Sequence, residues 1–162
     1  MDKKKVFEAL KNLCIEFEEY LHPAVFTCEE ADRYTKNVPG MPAKTLFLKS
    51  AKSKNFFLAI LPCEQKLNFT FLQKLLGEKK LTFARTDELR ELLDLTPGAV
   101  TPFGVIAHPK GIDVYIDERI VSEEYVQFHP GVNTATIALQ TRDFKTFLDK
   151  YAKIWKIINF SQ

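Results

Sequence analysis

Each of the three histidines stands directly before a proline, as His22-Pro23, His108-Pro109 and His129-Pro130. Imidazole can take and return a proton near neutral pH, but a following proline first of all enforces an extended or turning backbone. His22 falls at a predicted helix-to-strand joint and His108 at a predicted hairpin tip, and both read as structural. His129 differs, because Asn133, Thr134 and Thr136 follow it between two predicted strands. A polar set at the end of an apolar strand is where a sheet presents a site, and His129 reads equally as a site residue or as a hydrogen-bonded structural histidine.

Two further segments are candidates for chemistry. Lys44 opens a strand-like run directly after a Pro-Gly-Met-Pro-Ala loop, where a long cationic side chain can reach into a cleft toward a carbonyl, hydroxyl or phosphate oxygen. The segment Gly98-Ala99-Val100-Thr101-Pro102 carries one polar side chain between a glycine and a proline. Gly98 permits a tight turn and Pro102 restricts the exit, so this loop can offer backbone N–H and C=O groups to a ligand. It reads as readily as an ordinary helix-to-strand connector.

Much else is excluded. No Walker loop, GxGxxG, GxSxG or HExxH spacing is present, so neither a metal nor another cofactor is expected. Three cysteines, Cys14, Cys28 and Cys63, cannot all pair within one chain. None lies in a CxxC spacing, and a reducing cytoplasm without a disulfide framework is expected. No apolar run has the length of a signal peptide core or a membrane span, so no membrane partner is expected. With 162 residues, 46% hydrophobic and 27% charged, the chain is expected to form a single domain over residues 1–162. Its 23 Lys and Arg against 21 Asp and Glu give a net charge of +2, and fourteen phenylalanines point to a ring-packed core. The balance excludes a histone-like protein, but not a local basic groove.

The elements that would position these residues follow from apolar spacing. Residues 3–21 place Val6, Leu10, Leu13, Phe17 and Leu21 on one face of a predicted helix that ends at His22-Pro23. Residues 23–27 read as a short strand and residues 29–36 as a short helix. Residues 45–49 and 56–61 read as a hairpin, its second strand apolar throughout and thus central. Asn68 is expected to cap a helix closed by Gly77. A short strand at 81–84 and a helix capped by Thr86 follow. Residues 103–107 and 112–116 read as a second hairpin around Pro109-Lys110-Gly111. Strands at 125–128 and 134–139 flank His129, and Thr141 caps a last helix bearing Phe144, Phe147, Leu148 and Tyr151. The apolar stretch 154–158 is expected to pack back on the sheet. The fold class is α/β in the α+β sense, a mixed and mainly antiparallel sheet surrounded by helices.

Three segments, in order, carry a resemblance: Ala43-Lys44-Thr45-Leu46-Phe47-Leu48-Lys49, Thr96-Pro97-Gly98-Ala99-Val100-Thr101-Pro102-Phe103 and Phe128-His129-Pro130-Gly131-Val132-Asn133-Thr134-Ala135-Thr136. The chain resembles the YbaK/prolyl-tRNA synthetase-associated domain family over most of its length, and within it the freestanding prolyl-tRNA editing proteins, the ProXp-ala or PrdX-like deacylases. The resemblance implies a YbaK-like fold and a cytoplasmic trans-editing hydrolase of translation fidelity. Its substrate would be the acceptor end of tRNA(Pro) charged with a wrong amino acid, most of all alanine, and prolyl-tRNA synthetase is an implied partner. Lys44, Gly98 and His129 match the family's functional lysine, the start of its GxxxP loop and its late histidine. Thr45, Ala99, Val100, Thr101, Pro102 and Asn133 would contact the substrate. Thr45 departs from the asparagine usual after that lysine, which also admits seryl-, threonyl- or cysteinyl-tRNA as substrate, or a tRNA- or synthetase-binding module without catalysis. Lys79, Lys80 and Lys49 are the candidates for contact with the acceptor stem.

Overall fold

Phe56–Pro62 (β3) is apolar at every position, a pattern that only a strand covered on both faces can use. In the computed structural model, which describes residues 1–161, β3 is the central strand of a five-stranded sheet. Leu58 and Ile60 point into one apolar cluster, and Phe57, Ala59 and Leu61 into a second on the opposite face. Each fully buried aliphatic side chain contributes about 1.5–3 kcal/mol of transfer free energy. Ala43–Ser50 (β2) pairs antiparallel with β3, from Ala43 opposite Pro62 to Lys49 opposite Phe56, as the hairpin expectation requires.

The remaining strands of this sheet are Leu81–Phe83 (β4), Asp113–Asp117 (β5) and Trp155–Ile158 (β8), in the order β4-β2-β3-β5-β8. β5 runs parallel to β3 and to β8, so the 154–158 stretch does pack back on the sheet. A second, antiparallel sheet holds Phe17–Leu21 (β1), Ala135–Gln140 (β7) and Tyr125–Phe128 (β6) in the order β1-β7-β6. The pairings are thus mixed and mainly antiparallel, but divided between two sheets, and the larger apolar cluster is built from both. Within that cluster Phe103 makes edge-on contacts with Phe128, Phe144 and Phe147.

Helices close the outside: Lys3–Asn12 (α1), Cys28–Asp32 (α2), Phe69–Leu76 (α3), Thr86–Leu93 (α4), Glu118–Val121 (α5) and Thr141–Tyr151 (α6). Asn68 caps α3 by accepting the Phe71 N–H at 3.0 Å, and Gly77 ends it at φ +69°. In α4 and α6 the N-caps are Arg85 and Gln140, one residue before the threonines expected there. Glu88 accepts the Arg85 N–H at 2.9 Å and supplies the cap that Thr86 does not.

Three expectations are corrected. The N-terminal helix ends at Asn12, because Cys14 turns into the left-handed region at φ +56° and residues 17–21 pair with β7. The spacing of Leu13, Phe17 and Leu21 mimics a helical stripe, yet Leu21 is 72% exposed. Residues 23–27 form no strand, and helix α2 begins at Cys28. Residues 103–107 are not a strand either: Pro102–Ala107 is a 3-10 helix, with Thr101 accepting the Phe103 N–H at its start. A short apolar run does not distinguish strand from buried helix by periodicity. The segment 109–111 therefore turns no hairpin. Gly111 instead leaves room for the His108 ring, which a Cβ there would meet at 2.0 Å, in keeping with the structural reading of His108.

Candidate active site

The start of β2, the end of β6 and the segment entering β7 converge with α2 and the 3-10 turn Pro97–Ala99 around a cleft of about 340 Å³. Its charged lining side chains among the described residues are Lys44 and Asp32.

Lys44 reaches this cleft because the loop before it is held from both sides. Gly40 adopts φ +101°, and a Cβ there would stand 2.8 Å from the Tyr125 carbonyl oxygen, so glycine is required twice over. Gln127 of β6, which lines the cleft, donates its amide Nε2–H to the carbonyls of Gly40 at 2.7 Å and Val38 at 3.3 Å. Met41 forms a bridge with Val126. The half-buried Lys44 side chain makes no hydrogen bond or ion pair among the described residues, and desolvation lowers its ammonium pKa below the usual lysine value. Such a cation is available for an incoming oxygen. Thr45, the next residue, also lines the cleft.

His129 donates Nδ1–H to the Ala135 carbonyl at 3.0 Å, because a carbonyl can only accept. That bond sets the tautomer and leaves a lone pair on Nε2. Burial is the main cause that lowers its pKa, with the nearby His22 acting in the same direction, so the ring is neutral at pH 7. The His22 ring lies 6.0 Å from that of His129. Its Nδ1–H donates to the Pro23 carbonyl at 2.9 Å, and its Nε2 accepts from the Thr136 hydroxyl at 2.9 Å. Thr136 lines the cleft, so His22, which sequence reasoning left as structural, buttresses the wall beside His129. Only the pairing of residues 22–25 with 133–134 reveals this.

The glycine loop divides. Gly98 and Val100 line the cleft, whereas Ala99, Thr101 and Pro102 are buried and do not. A Cβ on Gly98 would stand 3.0 Å from the Phe26 ring and 3.6 Å from the Asn133 amide nitrogen. Asn133 donates Nδ2–H to the Val25 carbonyl at 2.9 Å and so holds the segment that carries Phe26. Sequence reasoning missed Phe26, Asp32 and Phe83 in the lining. An alignment of apolar periodicities gives no signal for them, since they sit on a turn, a short helix and an edge strand.

Of the stem-binding candidates, Lys49 is engaged by Glu88 at 2.9 and 3.1 Å. Lys79 and Lys80 are exposed beside the Ser50 end of β2. At about 3.3 Å per residue, that is roughly 20 Å along the strand from Lys44.

The cysteine expectation is corrected. Cys28, the first residue of α2, is joined by a disulfide to Cys63 just beyond β3, with Cα atoms 5.9 Å apart, and Cys14 alone is free. Thirty-five residues of separation carry no spacing signal. Both paired cysteines line the cleft. Among the described residues no three His, Cys, Asp or Glu side chains gather as a metal site, and no helix is long and apolar enough to cross a membrane.

Residues 22–147 match the aminoacyl-tRNA editing domain family. The chain is 32% identical over 157 residues to the prolyl-tRNA editing protein ProX of Acetoanaerobium sticklandii, covering 96% of both chains. It is 28% identical over 134 residues to the multifunctional Ser/Thr-tRNA deacylase ProXp-y of Escherichia coli K12, covering 80% of this chain and 77% of that one. A solved structure of a candidate trans-editing enzyme for prolyl tRNA synthetase superposes with a TM-score of 0.74 at 19% identity, covering 99% of this chain and 96% of the other. The fold is the YbaK-like editing fold, and the chain belongs to the aminoacyl-tRNA editing domain family, an aminoacyl-tRNA deacylase by class.

Proposed function

We propose that this chain is a cytoplasmic trans-editing hydrolase that removes alanine from mischarged tRNA(Pro). The observation that carries the reading is an unpaired, partly desolvated Lys44 in one cleft with the backbone of Gly98 and a neutral His129. An aminoacyl ester is already activated, so placing a water and stabilising the developing oxyanion suffice. Water adds to the ester carbonyl carbon, and the tetrahedral oxyanion then collapses with loss of the ribose oxygen. That oxygen leaves with a proton, giving the free amino acid and a free tRNA hydroxyl.

In this scheme Lys44 neutralises charge on the terminal phosphate or the carbonyl oxygen. The Gly98 and Val100 backbone positions the aminoacyl group. The His129 Nε2 lone pair accepts a hydrogen bond from a hydroxyl of the terminal ribose, which in turn orients the water. Asp32 faces the α-ammonium group. Thr101 and Pro102 act from behind the cleft by keeping the loop rigid against proline, because one methylene is worth only about 1–3 kcal/mol of discrimination. Prolyl-tRNA synthetase is the proposed partner that hands over the tRNA.

A second reading is a deacylase for serine or threonine. It draws on the similarity to ProXp-y and on the hydroxyls of Thr45 and Thr136 in the lining. One experiment separates them: hydrolysis of tRNA charged with alanine, serine, threonine, cysteine or proline, at catalytic protein concentration. Fastest turnover of Ala-tRNA(Pro) is expected, with correctly charged tRNA spared. A preference for serine or threonine moves the chain to the second reading, and no turnover of any member overturns both.

A further inference from the structure

Two phenylalanines at the cleft are on the outside of the protein. Phe26 is 70% exposed and Phe83 is 56% exposed, although both belong to the cleft lining. Large exposed rings carry an unfavourable hydration free energy, and where they border a site they mark what docks there.

These rings are held in place. The Phe83 ring packs T-shaped with Phe69, with centroids 5.5 Å apart and planes at 82°, and more than half of it stays open to another partner. Phe26 is fixed through its backbone N–H, which donates to Glu30 at 3.2 Å, and its ring edge occupies the space that a Cβ on Gly98 would need. Glycine at position 98 thus serves the ring as well as the loop.

The size and charge of the cleft indicate the partner. About 340 Å³ is at the small end of the roughly 300–1,000 Å³ of small-molecule sites. It suits an aminoacyl group with its sugar and leaves nucleobases at the mouth. Cations that would grip the strand by charge are scarce there: among the described residues Lys44 is the one lysine or arginine lining the cleft, Lys49 is bound to Glu88, and Lys79 and Lys80 lie at the far end of β2.

We propose that Phe26 and Phe83 are stacking platforms for the unpaired bases at the 3′ end of the RNA substrate. This rests on the deacylase reading of the cleft. Every base has a π-face, so stacking on phenyl rings binds a single strand without reading its sequence. That suits the invariant unpaired CCA end carried by every mature tRNA. The grip on the end is then mainly apolar and weakly dependent on salt, with the one phosphate contact left to Lys44.

The test uses Phe26→Ala, Phe83→Ala and Phe83→Trp in the full chain. Deacylation is measured on mischarged tRNA and on a methyl ester of the same amino acid, which has no base. Each alanine variant is expected to raise KM for tRNA roughly tenfold or more, with kcat little changed, and that loss exceeds its loss on the methyl ester about tenfold. Phe83→Trp restores the KM. Its indole fluorescence, corrected for Trp155, is quenched by an uncharged oligonucleotide ending in CCA. Unaltered KM in both alanine variants, equal losses on the two substrates, or no quenching overturns the proposal. Quenching by a wild-type-like protein that hydrolyses none of the charged tRNAs would retain the stacking platforms and end the deacylase reading instead.

Discussion

Lys44 and Lys49 lie five residues apart on the same strand, yet they occupy opposite chemical situations. Lys49 is held by both carboxylate oxygens of Glu88. Burial alone would raise the Glu88 pKa, but the Arg85 N–H and the Lys49 ammonium outweigh it and hold the carboxyl below its ordinary value. Lys44 has no such partner among the described residues, and desolvation is the cause acting on its ammonium. A cation whose charge is already met by the protein is structural. One left partly desolvated and unmet is poised for a ligand, and it is the state of pairing that separates the two.

The largest effect expected is therefore on Lys44. Lys44→Ala should lower kcat/KM for mischarged tRNA by about a thousandfold, the upper range for removing one stabiliser of a developing oxyanion, while leaving thermal stability near that of the wild type. Lys49→Ala should do the reverse. Deacylation by Lys44→Ala within threefold of the wild type would remove the distinction between the two lysines.

The next effect concerns what holds the Lys44 end of the strand. Cys63 donates its N–H to the Pro42 carbonyl at 3.1 Å and bonds Cys28 of α2, so one cross-link ties two walls of the cleft together. For a closed loop of this length the chain-entropy contribution is about 3–4 kcal/mol. Cys63→Ser should lower unfolding free energy by that order in denaturant titrations without reductant. Dithiothreitol should bring the wild type down to the variant. Coincident curves for oxidised and reduced protein would show that the cross-link contributes nothing.

How legible these features are in the sequence depends on whether they are local. The β2–β3 hairpin and the two-faced burial of β3 can be read directly, because seven successive apolar residues leave a strand no exposed face. The α3 cap is legible for the same reason: Asn68 and Gly77 act within one turn. Lys44, Gly98 and His129 are marked by their segments, and the structure brings all three to one cleft. What is not legible depends on pairing across the chain. The boundary between α1 and β1 is set by Cys14 and by β7, and the 3-10 helix at Pro102–Ala107 by burial of Phe103 and Val105. The role of His22 requires Thr136, 114 residues away. The near-zero net charge likewise conceals which lysines are already paired.

The pH profile sharpens the contrast between a free and a paired group. The proposed scheme needs neutral His129 and protonated Lys44, and both pKa values are lowered. A lowered histidine pKa keeps the imidazole neutral to lower pH, so the acid limb of kcat/KM should fall below the ordinary value of about 6.5. A lowered lysine pKa moves the alkaline limb below the ordinary value of about 10.4, and Lys44→Arg should shift that limb upward. An acid limb above the ordinary histidine value would contradict the buried, neutral ring.

Lys49 itself should show only a small effect, and on stability. Its partner is partly shielded, yet a pair with access to solvent is screened, so Lys49→Ala should cost roughly 0.5–1 kcal/mol. The Glu88 contribution has a definite sign. Its folded pKa is depressed, so the stabilisation is present above the unfolded carboxylate range and is lost as pH falls through the folded value. Lys49→Ala should thus flatten the acid side of the stability curve. If it leaves stability intact and raises KM for tRNA instead, Lys49 belongs with Lys44.

The smallest expected effect is at Lys79 and Lys80, exposed at the far end of β2. An acceptor stem extending from the cleft along the strand would bring phosphates near them. Each contact would then contribute a little under one unit to the slope of log affinity against log salt. The double variant Lys79→Ala/Lys80→Ala should leave KM within a few-fold of the wild type at physiological salt and reduce that slope by roughly two units, so that the difference grows to about tenfold or more at low salt. A KM and slope matching the wild type would place both lysines among the solvated charges and leave Lys44 as the strand's one cation in contact with RNA.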